Sequence, residues 1–121
     1  MRDAPAEGLR VSTEMRDRIA VVHAEGEVDL ETSDVLASAL RAQLAAGVDG
    51  VVLDLLGVPF MDSSGLKQLL TASNELRDRL VVLLSPGSPV RHLLELAEIA
   101  DRIAVRENED DAVAVLATDG D

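Results

Sequence analysis

The sequence predicts an α/β domain: a mainly parallel or mixed central sheet with helices packed around it. Three observations lead there. Helical periodicity alternates along the chain with short strand-like runs, the pattern of successive βαβ units. Two of those runs, residues 51–55 (VVLDL) and 80–84 (LVVLL), are almost unbroken aliphatic residues, as expected of strands covered on both faces. The chain has 121 residues, which suits one domain and leaves little room for two.

Residues 1–8 are polar and read as a loose tail, so the domain is placed at residues 9–118. Leu9, Val11 and Thr13 alternate with polar residues and give a first strand over 9–14. Residues 14–18 are polar and suit a turn. Residues 19–24 (IAVVHA) give a second strand, with His23 in or beside it as a structural or solvent-facing histidine. Residues 25–29 (EGEVD) break the pattern. Val35, Leu36, Ala39, Leu40, Gln43 and Leu44 then recur at helical spacing, with Thr32 and Ser33 as candidate N-caps and Gly47 as the stop. After the strand at 51–55, Pro59 ends regular structure. Leu66, Leu69, Leu70, Ser73 and Leu76 mark the second helix. After the strand at 80–84, Pro86, Gly87 and Pro89 are read as a loop. A third helix over 90–97, a short strand over 102–105 and a last helix over 110–118 complete the order β-β-α-β-α-β-α-β-α. No internal repeat is present.

Composition narrows the function. The formal net charge is -12, which disfavours nucleic acid and an anionic membrane surface as partners and favours a basic protein surface. Phe60 is the only aromatic residue, so contacts rest on aliphatic and polar groups. There is no cysteine, which excludes disulfides and thiolate chemistry. His23 and His92 lie outside any metal-ligand spacing, so neither a metal nor another cofactor is expected. The first residues carry no apolar signal core, and no apolar run approaches the roughly 20 residues that span a bilayer, so the cytoplasm is the expected location. No phosphate-binding glycine loop, dinucleotide fingerprint or nucleophile elbow appears, so the chain is not expected to be an enzyme. A receiver-like phospho-aspartate domain, which Asp54 invites, needs an acidic pair after its first strand and a lysine after its last. Met15-Arg16-Asp17 and Arg106-Glu107 supply neither.

The most informative stretch is residues 51–70 (VVLDLLGVPFMDSSGLKQLL), read as strand, loop and helix. Asp62-Ser63-Ser64-Gly65 falls where the helix starts, and Asp62 and Ser63 suit helix capping. The same place tolerates an added anion, because a helix N-terminus has unpaired N–H groups and a positive dipole end. A phosphate on Ser63 adds about -1.5 to -2 charges beside Asp62, enough to switch a binding surface without refolding the domain.

Residues 60–66 (FMDSSGL) resemble the phosphorylation-site motif of anti-sigma factor antagonists, which are STAS domains. Residues 26–29 (GEVD) resemble that family's signature after the second strand, and residues 88–94 (SPVRHLL) its segment before the third helix. Three motifs in order cover nearly the whole domain. The resemblance implies the STAS-domain fold. It implies that the unphosphorylated protein binds an anti-sigma factor that is also a serine kinase and so frees a sigma factor. Phosphorylation of Ser63 then ends binding, and a PP2C-type phosphatase reverses it. Asp29, Asp62, Ser63, Ser64 and Gly65 match motif positions near the docking surface. Lys67 departs from the small residue that many relatives carry there. It either places a cation near Ser63 or simply faces solvent. The alternative function is a stand-alone STAS scaffold or an interaction module of a stress-sensing or lipid-transport complex.

Overall fold

A computed structural model describes residues 8–119. The tail expected over the first residues lies outside these, apart from Gly8, whose carbonyl accepts from the Glu27 N–H at 2.8 Å. Five strands, β1 (Leu9–Arg16), β2 (Ile19–Gly26), β3 (Gly50–Gly57), β4 (Leu80–Leu83) and β5 (Ala104–Arg106), form one sheet in the order β1-β2-β3-β4-β5. β1 and β2 pair as an antiparallel hairpin, and every later neighbour is parallel. The helices are α1 (Ser33–Ala46), α2 (Ser63–Leu76), α3 (Pro89–Leu96) and α4 (Glu109–Asp119).

The topology follows from handedness. Parallel crossovers are almost always right-handed, so three that advance in one direction put α1, α2 and α3 on the same face of the sheet. The packing agrees. Val51, Leu53, Leu55, Val82 and Leu84 share one core with Leu36 and Leu40 of α1, Leu69 and Leu76 of α2, and Leu94 of α3. Ile19, Val21, Val52, Val81 and Leu83 point the other way and pack under Ala112 and Leu116 of α4. The unbroken apolar runs of β3 and β4 are therefore strands buried on both faces. Asp54 lies within β3, on the α4 face, beside His23 of β2.

Element boundaries differ from the sequence expectation by one or two residues at several places, with β2 running on to Gly26 and β3 to Gly57. β1 continues to Arg16, because Glu14, Met15 and Arg16 pair with Val21, Ala20 and Ile19, and only Asp17 and Arg18 remain for the turn. Pro89 belongs to the first turn of α3. That turn has no internal use for an N–H there, and Ser88 Oγ caps it by accepting from Val90 N at 3.0 Å and Arg91 N at 3.2 Å. A 3-10 turn over Ala100–Arg102 displaces the start of β5 to Ala104. α1 receives no side-chain cap from Thr32, which is turned inward.

Gly26 fixes how β2 leaves the sheet. Its φ is +119°, and a Cβ there would lie 1.8 Å from the Gly8 carbonyl oxygen. Gly26→Ala is expected to lower stability by at least about 1–3 kcal/mol through backbone strain alone. Urea denaturation checks this, and an unchanged midpoint would show that the hairpin end relaxes freely.

Candidate functional site

Two loops meet at the C-terminal ends of β2 and β3. Residues 27–32 lead from β2 into α1, and residues 58–62 lead from β3 into α2. A short parallel bridge between Val28 and Met61 joins them. Val28 N–H donates to the Phe60 carbonyl at 3.0 Å, and Asp62 N–H donates to the Val28 carbonyl at 3.0 Å. Val28 and Met61 are both buried, so the bridge is anchored in the core.

α2 starts against this bridge. Asp62 is its N-cap: Oδ1 accepts from Ser64 N at 2.8 Å and from Gly65 N at 3.3 Å. Ser63 is the first helical residue rather than a cap. It is exposed, and its hydroxyl has no hydrogen-bond partner among the described residues. Ser64 is half-buried beside it. Gly65 is buried, and a Cβ on it would sit 2.6 Å from both Met61 Cγ and Val28 Cγ1. Its place is under the surface, where the missing side chain lets the helix settle on the bridge.

Asp29 also works on the backbone. Its Oδ1 accepts from Glu31 N and Thr32 N, both at 3.0 Å. Thr32 Oγ1 donates to the Glu27 carbonyl at 2.9 Å and accepts from Asp29 N at 2.9 Å. This closed set of bonds folds the loop and turns Leu30 outward. Short polar side chains that bond nearby N–H groups stabilise such turns.

The surface so formed carries Ser63, Lys67, Leu30 and Phe60. Leu30 is 76% exposed and Phe60 48%, although both are large and apolar. Lys67 lies four residues after Ser63, on the same side of α2, exposed and without an ion pair among the described residues. Glu27, Glu31 and Asp34 are exposed nearby along the chain.

The geometry thus brings Asp29, Asp62, Ser63, Ser64 and Gly65 together around one bridge and leaves Lys67 on the exposed side of α2. It divides them by depth. Ser63 and Lys67 face solvent, Asp29 and Asp62 hold backbone N–H groups, and Gly65 packs inside. One expectation changes. The N–H groups of Ser64 and Gly65 are already taken by Asp62, so they are not free to hold an anion on Ser63. Leu30 and Phe60 were not singled out as contact residues in the sequence. The available signals were an isolated leucine between Asp29 and Glu31, outside the apolar face of α1, and the chain's one aromatic residue in a loop.

The STAS domain family model matches residues 10–112, and the chain belongs to the STAS domain family. Solved structures agree with it in fold. An anti-sigma factor antagonist from Mycobacterium paratuberculosis is 26% identical, with a TM-score of 0.83, over 94% of this chain and 99% of that one. The anti-sigma factor antagonist SpoIIAA in its unphosphorylated form is 18% identical, with a TM-score of 0.72, over 90% and 97% of the two chains. The Bacillus cell fate determinant SpoIIAA in its phosphorylated form is 21% identical, with a TM-score of 0.64, over 87% and 97%. Among the described residues, no helix is long and apolar enough to cross a membrane.

Gly65→Ala is expected to force Met61 or Val28 aside and lower stability by about 1–3 kcal/mol, the usual range for overpacking. Equilibrium denaturation checks it. A full-strength Gly65→Ala variant would mean that α2 is free to lift from the bridge.

Proposed function

We propose that this chain is an anti-sigma factor antagonist whose binding is switched at Ser63. In the unphosphorylated state it binds an anti-sigma factor that is also a serine kinase, which frees the sigma factor. Transfer of a phosphoryl group to Ser63 ends the complex, and a PP2C-type phosphatase restores it. The observation that carries this reading is the position of Ser63. Its hydroxyl is exposed on the first turn of α2 and takes no part in the cap that Asp62 makes. Phosphorylation there adds charge to the surface and removes no hydrogen bond from the fold. The anti-sigma factor antagonists that share the fold, one of them described in both phosphorylation states, support the same reading.

The docking face has the make-up of a small interface. Leu30 and Phe60 supply an apolar centre, and Glu27, Glu31 and Asp34 supply an acidic rim. Such a rim suits a basic partner surface and speeds encounter with it. A phosphate raises the negative charge further, so dissociation rests on the bulk of the new group at the docking face and on the cost of desolvating a dianion there, rather than on loss of complementary sign. Lys67 is the nearest cation in sequence on α2, at the i+4 position from Ser63.

Two measurements test this. A pull-down from host lysate with wild type and Ser63→Glu is expected to retain a kinase-fold anti-sigma factor on wild type only, with affinity at least about tenfold weaker for the variant. A carboxylate at Ser63 that leaves both the partner set and the affinity unchanged would move the protein to the scaffold reading, with the STAS fold intact. Separately, phosphorus NMR of Ser63-phosphorylated protein follows the second phosphate ionisation, which lies near about 6 in a free phosphoserine. Lys67→Ala is expected to raise it by about 0.2–0.4 pH units, from an exposed i,i+4 charge pair of about 0.3–0.5 kcal/mol. An identical titration in the two proteins would show that Lys67 only faces solvent.

A further inference from the structure

The other face of the sheet carries a group of side chains that the switch does not use. Ile19, Val21 and His23 alternate along β2 and share the face that α4 covers, and Val52 and Asp54 do the same on β3. Beyond the apolar contacts with α4, His23 lies among carboxylates from three elements. His23 Nδ1 is 2.7 Å from Asp54 Oδ2. His23 Nε2 is 2.6 Å from Glu14 Oε1 of β1 and 3.9 Å from Glu109 Oε1 at the start of α4.

Asp54 is the fixed member. Its Oδ1 accepts from Leu56 N at 2.9 Å, and its side chain is 18% exposed against 56% for Glu14. An Nδ1–H donated to this held carboxylate defines the tautomer of a neutral ring. The lone pair of Nε2 then points at the carboxylates of Glu14 and Glu109. Two anions facing a lone pair is a stable arrangement only with a cation between them. Glu109 is prepared for one: Arg16 Nη1 holds Oε2 at 2.9 Å, which leaves Oε1 directed at His23. Arg16 also binds Asp110 at 2.9 Å, and among the described residues it is the one arginine or lysine bonded to this set of four carboxylates.

We propose that His23 Nε2, Glu14 and Glu109 form a binding site for a divalent transition-metal cation of the zinc class, with Asp54 as the outer carboxylate that orients the imidazole. The three ligand atoms already lie within 4.8 Å of one another. Zinc binds nitrogen and oxygen at about 2.0–2.2 Å, which sets tetrahedral ligand atoms roughly 3.3 Å apart. Glu14 needs to open by a little over half an ångström and Glu109 to close by about as much, both through side-chain rotation. A carboxylate bonded to the far nitrogen of a ligating histidine is the common outer partner in zinc sites. One imidazole with two carboxylates suits zinc better than magnesium or calcium, which favour oxygen alone. Glu14 is 56% exposed, so solvent reaches the ligand set and a water can fill the remaining coordination position. A proton competes for the same nitrogen: the Glu14 hydrogen bond raises the His23 pKa above its ordinary value, burial opposes this, and Asp54 adds to the rise, so zinc must displace that proton.

The competing occupant is a proton on Nε2, bonded directly to Glu14. Titrating the tag-free full chain with zinc chloride by calorimetry, while NMR follows the ring signals of His23 and His92, separates the two. One equivalent of zinc is expected to move the His23 signals and leave those of His92 in place, with millimolar magnesium or calcium failing to compete. Asp54→Asn is expected to weaken zinc by about 10–100-fold, the usual effect of losing an outer partner. His23→Gln is expected to remove the site, and Glu109→Gln to weaken it at least about tenfold. Circular dichroism establishes that each variant is folded. Should His23→Gln fail to fold, Glu14→Gln on the exposed edge strand takes its place. Zinc binding that is unchanged in these folded variants, His23 signals that answer only to pH, or equal displacement by calcium would overturn the proposal and leave a protonated histidine in a surface charge cluster.

Discussion

The candidate face depends on one constraint: two loops from neighbouring parallel strands must stay in hydrogen-bond contact after their strands have ended. Parallel strands diverge there, each turning toward its own helix. The Val28–Met61 bridge resists this with two backbone bonds and two buried side chains. α2 then has to begin almost on top of the bridge, and only a residue without a Cβ fits where Gly65 meets Val28 and Met61. Once the helix is seated, its free N–H groups need acceptors, and the Asp62 carboxylate supplies one oxygen to two of them. Asp29 meets the same need in the facing loop. Buried backbone groups left unpaired would cost about 1–3 kcal/mol each, so the two aspartates act on folding before they act on any partner.

Under the proposed switch, that division of labour lets the surface change charge without unfolding. The polar groups that hold the loops point inward or along the backbone. Ser63 is left over: it is exposed, and its hydroxyl has no hydrogen-bond partner among the described residues. A modification at a capping residue would remove an interaction worth about 0.5–2 kcal/mol from the fold. At Ser63 it acts mainly on what docks.

The architecture was largely legible in the sequence because its signals are local. Aliphatic runs such as VVLDL and LVVLL can only be buried on both faces, and Val35, Leu36, Ala39 and Leu40 keep helical spacing. Boundaries were less legible where pairing decides them. Nothing in Glu14-Met15-Arg16 marks a strand until Ile19–Val21 lies opposite. Pro89 looked like a breaker because its role at a helix start depends on Ser88 capping the same turn. The motifs pointed to Asp29 and Gly65 but could not tell a surface residue from one that bonds the loop backbone or packs beneath the helix. Leu30 gave too weak a signal, since one exposed leucine is ordinary until a closed set of bonds around Asp29 and Thr32 is seen to hold it out. The His23 group was invisible for a different reason. Its members stand at positions 14, 23, 54 and 109, and only the sheet brings them together.

The two faces of the sheet are linked through the strands they share. β2 presents His23 to the α4 side and then runs on to Val28. β3 presents Asp54 to the same side and runs on to Met61. The His23–Asp54 bond therefore crosses between the two strands whose ends carry the loop bridge, a few residues before that bridge forms. The register of this pair shifts between His23 and Glu25, which is where regular pairing gives out. A charged bond placed just before the shift holds the strands together at the point where the ladder stops doing so. The Val28–Met61 contact then starts from a fixed separation, and with it the position of α2 and of the serine on its first turn.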